Sequence, residues 1–240
     1  MLEDLSSSIN HPGGQPSATE RSGMSLSHIA YTKIKHKIVT LELAPGSIID
    51  ETSLRSELKL GRTPIREALL RLSLENLVII VPRRGIFVSE ISIPHVQQLF
   101  EMRLALEPLA ASLAAERITG AYIQQLDTAL DVKLENYPSP SAAYIHADQS
   151  WHKILYEAAG NKYLETSLNA LYTLSLRLWN YSRVIIDDLH SALTLHQQVV
   201  LAIKNNDSDL AHNLLERHVR VFQEEIQKAM LSLPGKVKAG

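Results

Sequence analysis

The stretch Gly61–Val88, GRTPIREALLRLSLENLVIIVPRRGIFV, constrains this chain more than any other. Between Thr63 and Leu74 the residues Ile65, Ala68, Leu69 and Leu72 recur at spacings of three and four, which predicts a helix with one buried face. Pro64 falls in the first turn, where its missing N–H costs nothing, and Thr63 is expected as the N-cap. Arg62 and Arg66 lie off the apolar stripe and gather at the helix N-terminus. Two apolar, largely β-branched runs follow, Val78–Val81 and Ile86–Val88. The segment Pro82-Arg83-Arg84-Gly85 between them predicts a turn carrying two positive charges. A helix with an outward basic end, followed by a basic-tipped hairpin, suits duplex DNA: the helix enters the major groove and the hairpin reaches phosphate or the minor groove. On pattern alone, a small α/β subdomain with a solvated Arg face is the other reading.

The residues before this stretch complete a recognisable order. Ile34, Ile38 and Leu41 mark a first helix over Leu26–Leu41, whose Lys33, Lys35, His36 and Lys37 are phosphate contacts or a solvated face. Leu43-Ala44-Pro45-Gly46 breaks it. Asp50 is expected to cap a second helix, Glu51–Leu58, packed through Leu54 and Leu58, and Lys59–Gly61 is the turn into the third. Helix, helix, turn, helix and wing is the helix-turn-helix order with a hairpin added. The run Leu58–Leu69, LKLGRTPIREAL, resembles the recognition segment of GntR-family winged helix-turn-helix repressors, and Glu75–Val88 is similar to their wing. The resemblance implies DNA contacts from Arg55, Arg62, Thr63, Arg66, Arg83, Arg84 and Gly85. Gly61 departs from the family, which usually has Ser or Thr before the Arg; Gly caps without a side-chain bond.

With 240 residues, two domains of ordinary size are expected: a DNA-binding module at 24–90 and a second domain at 91–233, with a disordered tail at 1–23 and a frayed one at 234–240. The formal net charge of −2 hides an asymmetry, because residues 24–90 carry ten Lys/Arg against seven Asp/Glu. The positive excess thus sits on the DNA motif, and its modest size calls for two copies of the module; the family resemblance implies a homodimer on a palindromic operator. No run of eighteen apolar residues predicts a membrane span, and the N-terminus has no signal-peptide core. The absence of cysteine removes disulfides, thiolate catalysis and sulfur-rich metal sites. A cytoplasmic, nucleoid-associated protein is the expectation.

After residue 90 only helical patterns remain. Ser92 and Pro94 open a helix whose apolar stripe is read through Leu99, Met102, Leu106, Leu109 and Leu113 to about Ile118. A shorter helix is expected from Gly120 to about Leu134, then Ala142–Ala159, Tyr163 to about Ile186, Leu189–Lys204 and Asp209 to about Leu233. Asp187 and Asp188 punctuate the long one. The fold class is therefore mainly α: an N-terminal winged helix-turn-helix of three helices plus a β-hairpin, and a C-terminal antiparallel bundle of about six helices.

Seven of the ten histidines lie after residue 90. Asp148 and His152 are four apart and share a helix face. His196 and His218 are placed symmetrically about Asp207, in the turn Asn205–Ser208, so an antiparallel hairpin of equal rise sets them side by side. Three imidazoles and one carboxylate can thus converge on a divalent metal, although each His taken singly reads as surface or packing. His190 and His212 centre on Leu201, inside a helix, and cannot be level; His146 points away from the Asp148 face. This arrangement, with Trp151 before His152, is similar to the metal-binding pattern of the FCD effector domain in the FadR subfamily of GntR regulators. Glu101-Met102-Arg103 followed by Glu107 also looks like that domain's first helix. One departure is Leu195, where the family often has Glu beside the His.

The resemblance implies a regulator, expected as a repressor, that binds a divalent cation (zinc first, nickel or manganese as alternatives) and a small carboxylate effector. Arg103, Glu101, Arg177 and Asn180 are the expected effector contacts, with Arg183 beside Arg177. The bland reading of Arg103 is an ion pair with Glu107 one turn on. Two other readings stand: a regulator with the cation itself as signal, and a metal-dependent hydrolase fused to a DNA module. The hydrolase is disfavoured, since no His-Glu-x-x-His helix, Gly-rich phosphate loop or nucleophile motif is present, and no enzymatic role is expected.

Overall fold

The computed structural model describes residues 24–182 and 189–232. The tails expected at 1–23 and 234–240, Arg183, and the break at Asp187 and Asp188 lie outside them. The chain divides into two compact units, one running up to Lys37 and resuming over Ser47–Val88, the other made of Ile38–Gly46 and the chain from Ser89 onward. Among the described residues there are nine α-helices and one two-stranded antiparallel sheet.

The first unit contains most of α1 (Leu26–Val39), with α2 (Glu51–Leu58), α3 (Arg62–Leu74), β1 (Val78–Val81) and β2 (Gly85–Val88). Helix α1 stops before the expected Leu41, which turns the chain with φ 66 and donates to the Ile38 carbonyl instead of extending the stripe. Asp50 caps α2 as expected: Oδ1 accepts from the Thr52 amide at 2.8 Å and Oδ2 from the Ser53 hydroxyl at 2.7 Å. The cap of α3 is Gly61 and not Thr63, which lies inside the first helical turn. Gly61 supplies no side-chain bond, so the helix starts where extended backbone ends, one residue before Thr63. Ile65, Ala68, Leu69 and Leu72 are buried, the face the spacing required.

Strands β1 and β2 pair in the register Val78↔Val88, Ile79↔Phe87, Ile80↔Ile86 and Val81↔Gly85. A third segment, which no sequence pattern marks, joins them. Val88 N donates to Ser47 O at 2.9 Å and Ile49 N to Ile86 O at 2.7 Å, so Ser47–Ile49 flanks β2. Three residues are too short to show an alternating pattern.

The second unit is an all-helical bundle of α4 (Ile93–Arg117), α5 (Gly120–Leu130), α6 (Pro140–Ala158), α7 (Lys162–Ser182), α8 (Leu189–Lys204) and α9 (Ser208–Ser232). The stripe expected on α4 is misplaced in part, because Met102 and Leu109 are 49% and 42% exposed. The buried face runs instead through Val96, Leu99, Phe100, Arg103, Glu107, Ala110, Ala111, Ala114 and Ala115. Small alanines let α4 lie close along α9, and the two charged residues are tolerated because they pair. Helix α5 ends at Leu130 and not Leu134. Asp131 N closes on Thr128 O, and a 3₁₀ turn at Leu134–Asn136 follows. Ser139 caps α6 through its hydroxyl, and Gly160, with φ 62, ends that helix region. Trp151, Leu155, Leu168, Val199, Ile203 and Leu215 centre one core cluster; Phe100, Leu178, Val219 and Ile226 centre another. No helix among the described residues is long and apolar enough to cross a membrane.

Candidate functional site

Helices α6, α8 and α9 bring Asp148, His152, His196 and His218 to one point inside the bundle. Each offers one ligand atom, and these atoms all lie within 4.8 Å of one another. Asp148 Oδ1 is 3.6 Å from His152 Nε2 and 3.5 Å from His196 Nε2. The Nε2 atoms of His196 and His218 are 3.3 Å apart. The hairpin symmetry about Asp207 and the one-turn spacing on α6 are thus both realised. His212 is not among the four, and the His190 side chain lies outside the described residues.

Neighbouring side chains orient three of these four residues. Tyr172 on α7 donates its hydroxyl proton to Asp148 Oδ2 at 2.6 Å, leaving Oδ1 toward the cluster. His152 Nδ1 is 3.1 Å from the Tyr156 hydroxyl and 3.7 Å from Glu107 Oε2, so Nε2 faces inward. The His196 ring stacks on Trp151, centroids 4.0 Å apart and planes 24° from parallel. Its Nδ1, however, is buried with no hydrogen-bond partner. Leu195, the preceding residue, brings no polar group.

Electrostatics favour the ligand forms of the imidazoles. Burial, then the neighbouring imidazoles and Arg103, hold His152 and His196 well below 6.5, and burial takes His218 to about 3. All three are therefore neutral at pH 7, the state that coordinates metal. Burial lifts the Asp148 carboxyl to about 6, against the opposing pull of the Tyr172 bond and Arg103. A carboxylate and three neutral imidazoles, with one His152 Nε2 lacking any hydrogen-bond partner, is a donor set that suits one divalent cation. Ligand atoms about 2.1 Å from a cation stand roughly 3–4 Å from each other, close to the separations observed.

The residues expected around an effector are placed differently from one another. Arg103 is 2% exposed and pairs with Glu107 through Nε, as the bland reading had it. Its Nη1 is buried without a partner, and so is Glu107 Oε2. Glu101 is exposed. Arg177 and Asn180 donate to backbone carbonyls, Ser89 O at 2.5 Å and Val39 O at 3.0 Å. Tyr156 and Tyr172, which the sequence reading does not single out, bond to His152 and Asp148. Tyr156 stands one helical turn from His152 and was visible in principle; Tyr172 reaches Asp148 only through the packing of α6 on α7.

On the first unit, Arg55, Arg62, Thr63, Arg66, Arg83 and Arg84 are all exposed, and Gly85 is half-buried. Arg66 makes a two-pronged bond to Glu51, Nε to Oε2 at 2.8 Å and Nη2 to Oε1 at 3.2 Å. At the hairpin tip Arg84 N donates to Val81 O at 3.1 Å, with Pro82 next and Arg83 at φ 63. This is the pattern of a type II turn, in which the position of Arg83 ordinarily belongs to Gly or Asn. Gly85 follows at φ +121, a conformation that a side chain would strain.

Comparison with known proteins agrees on both units. Residues 98–221 match the family model described as "FCD domain", and residues 26–88 match "Bacterial regulatory proteins, gntR family". The HTH-type transcriptional repressor RspR of Escherichia coli is 24% identical over 201 residues, 82% of this chain and 87% of its own. The Nta operon transcriptional regulator of Aminobacter aminovorans is 28% identical over 204 residues, 81% of this chain and 93% of its own. Among solved structures, E. coli McbR/YncC superposes with a TM-score of 0.75 at 21% identity, covering 86% of this chain and 99% of that one.

Proposed function

The chain belongs to the GntR family of bacterial transcription regulators and carries an FCD domain, and from that premise we propose that it is a homodimeric, ligand-responsive repressor whose helical unit holds one divalent cation and a small carboxylate. The observation that carries the reading is the convergence of Asp148, His152, His196 and His218 in the interior of that unit. These four residues hold the cation, with zinc the first choice and nickel or manganese compatible with nitrogen and oxygen donors. When bound, the cation supplies a fixed positive centre that attracts a hard carboxylate oxygen. Arg103, whose Nη1 is free, donates to the acid's other oxygen, while Glu107 keeps the Arg103 side chain in place. The supporting test is a titration of metal-stripped protein with zinc, with and without candidate acids, while operator affinity is read. An operator affinity that follows the acid only when zinc is present supports this reading. One that follows zinc alone favours the cation as the signal.

In the DNA module Arg62 and Arg66 read bases at the N-terminal end of α3, and Arg83 and Arg84 bind phosphate or the minor groove. Arg66 must exchange Glu51 for guanine O6 and N7. Arg66→Ala should weaken binding to a selected operator by roughly tenfold or more and relax preference at one base pair. An equal loss on random DNA would make Arg66 a phosphate clamp only.

Arg83 holds a left-handed backbone that suits glycine better, so its charge is the reason for its presence. Arg83→Gly should leave the denaturant midpoint unchanged or higher. Operator affinity should fall, and the salt slope should shallow by about one. A lowered midpoint with unchanged affinity would assign Arg83 a structural role instead.

A further inference from the structure

Helix α7 makes hydrogen bonds of two kinds within the second unit. Toward its middle, Tyr172 donates to Oδ2 of Asp148 at 2.6 Å. Further along, Arg177 donates to Ser89 O at 2.5 Å and Asn180 to Val39 O at 3.0 Å. Ser89 and Val39 both belong to this unit, and they lie at the places where the chain joins the other one: Ile38–Gly46 is entered after Lys37, and Ser89 follows Val88 directly. From Tyr172 to Asn180 the helix rises about 12 Å, a span that its own ladder of hydrogen bonds keeps rigid.

Arg177 is unusual among the buried charges. It is 3% exposed and its Nε has no hydrogen-bond partner; among the described residues no carboxylate pairs with it, and it donates to the Ser89 carbonyl. Burial lowers its pKa only to about 10, which leaves it charged at neutral pH. A charged donor is positioned by its acceptor and in turn positions it.

We infer that α7 ties the Asp148 carboxylate to the two segments through which the chain leaves the helical unit, with Tyr172 positioning the carboxylate and Arg177 and Asn180 holding the segments. Drawing Asp148 toward a cation moves the acceptor of the Tyr172 bond, and α7 carries that change to Ser89 and Val39. Occupancy of the site therefore sets how firmly Ile38–Gly46 and the start of the chain after Val88 are held. The inference rests on the metal-holding role proposed above for Asp148.

The test uses the full chain, stripped of metal and then given zinc, with zinc content measured first and amide hydrogen exchange second. In the wild type, zinc should slow exchange at least fivefold in peptides covering 38–46 and 89–91. Tyr172→Phe keeps the ring but removes the bond to Asp148, so its zinc affinity should fall by about ten- to a hundredfold; loaded with excess zinc to about one ion per chain, it should lose the zinc-dependent protection in both segments. Asn180→Ala removes a partly exposed side chain distant from the ligands. It should bind zinc as the wild type does and lose the effect in 38–46 while retaining it in 89–91. This segment-selective loss is not what a general loosening of the fold would produce. Unchanged exchange in zinc-loaded wild type overturns the inference and leaves the metal reading intact. Zinc-dependent protection that persists in both variants overturns it equally. A wild type that binds no zinc removes the metal reading, and the inference with it.

Discussion

His196→Ala should abolish stoichiometric metal binding, lowering zinc affinity by more than about a hundredfold, since even the residues that merely orient ligands are worth ten- to a hundredfold. His196 is fully buried, its Nε2 lies 3.5 Å from Asp148 and 3.3 Å from His218, and no other His or carboxylate among the described residues joins this cluster. Loss of the ring also leaves Trp151 without its stacking partner, so a fall in stability comes with it, as for any large-to-small change in a packed core. The residues proposed to bind DNA are on the other unit, and their contacts should survive in protein that remains folded. Elemental analysis of purified wild type and variant decides the matter. Equal metal in both would remove His196 from the ligand set.

The second large effect is acid sensitivity of the metal-free protein. Burial keeps His152, His196 and His218 neutral in the native state, the last with a pKa of about 3, whereas unfolded histidines titrate near 6.5. Below that value the unfolded chain binds the protons and the native state does not, so stability falls as pH falls through 6.5. Asp148 acts in the opposite sense. Its carboxyl is raised from 3.8 to about 6, so the native state holds that proton between those values and gains stability as pH drops through 6.

Three groups against one leave a net excess of protons on the unfolded chain below about pH 6, each worth a slope of about 1.4 kcal/mol per pH unit. At the proposed site zinc takes these atoms in their unprotonated forms, so on that proposal zinc-loaded protein should be far more stable than stripped protein at pH 7 and converge with it on acidification. Urea midpoints at pH 7 and pH 5, with and without zinc, measure both statements. A stripped protein whose midpoint is flat across that interval would show that the three imidazoles are not held neutral.

The sequence by itself determined the elements. The three-and-four spacing of Ile65, Ala68, Leu69 and Leu72 specifies a helix and its buried face, because side chains separated by one turn must share a side of the cylinder. Pro82-Arg83-Arg84-Gly85 between two apolar runs specifies a hairpin, because Pro and Gly restrict the backbone locally. Those constraints act within a few residues and are written in local order. The convergence of the four residues proposed as metal ligands was legible for a related reason. Asp148 and His152 are one turn apart, and the symmetry of His196 and His218 about Asp207 converts helix rise directly into a common level.

What the tertiary structure alone decided concerns which surfaces meet. Met102 and Leu109 fit a helical stripe but are exposed, since the face of α4 that lies along α9 is the one carrying alanines and the Arg103–Glu107 pair. Ser47–Ile49 pairs with β2 across nearly forty residues of chain, and a three-residue segment carries no period to announce it. Arg177 and Asn180 hold backbone carbonyls of Ser89 and Val39, acceptors that every residue possesses and that no side-chain pattern can mark. Tyr172 reaches Asp148 from another helix. Spacing along one helix fixes which of its side chains share a face, but the choice of neighbouring helix depends on the shape and charge of both surfaces, and those exist only once the bundle has packed.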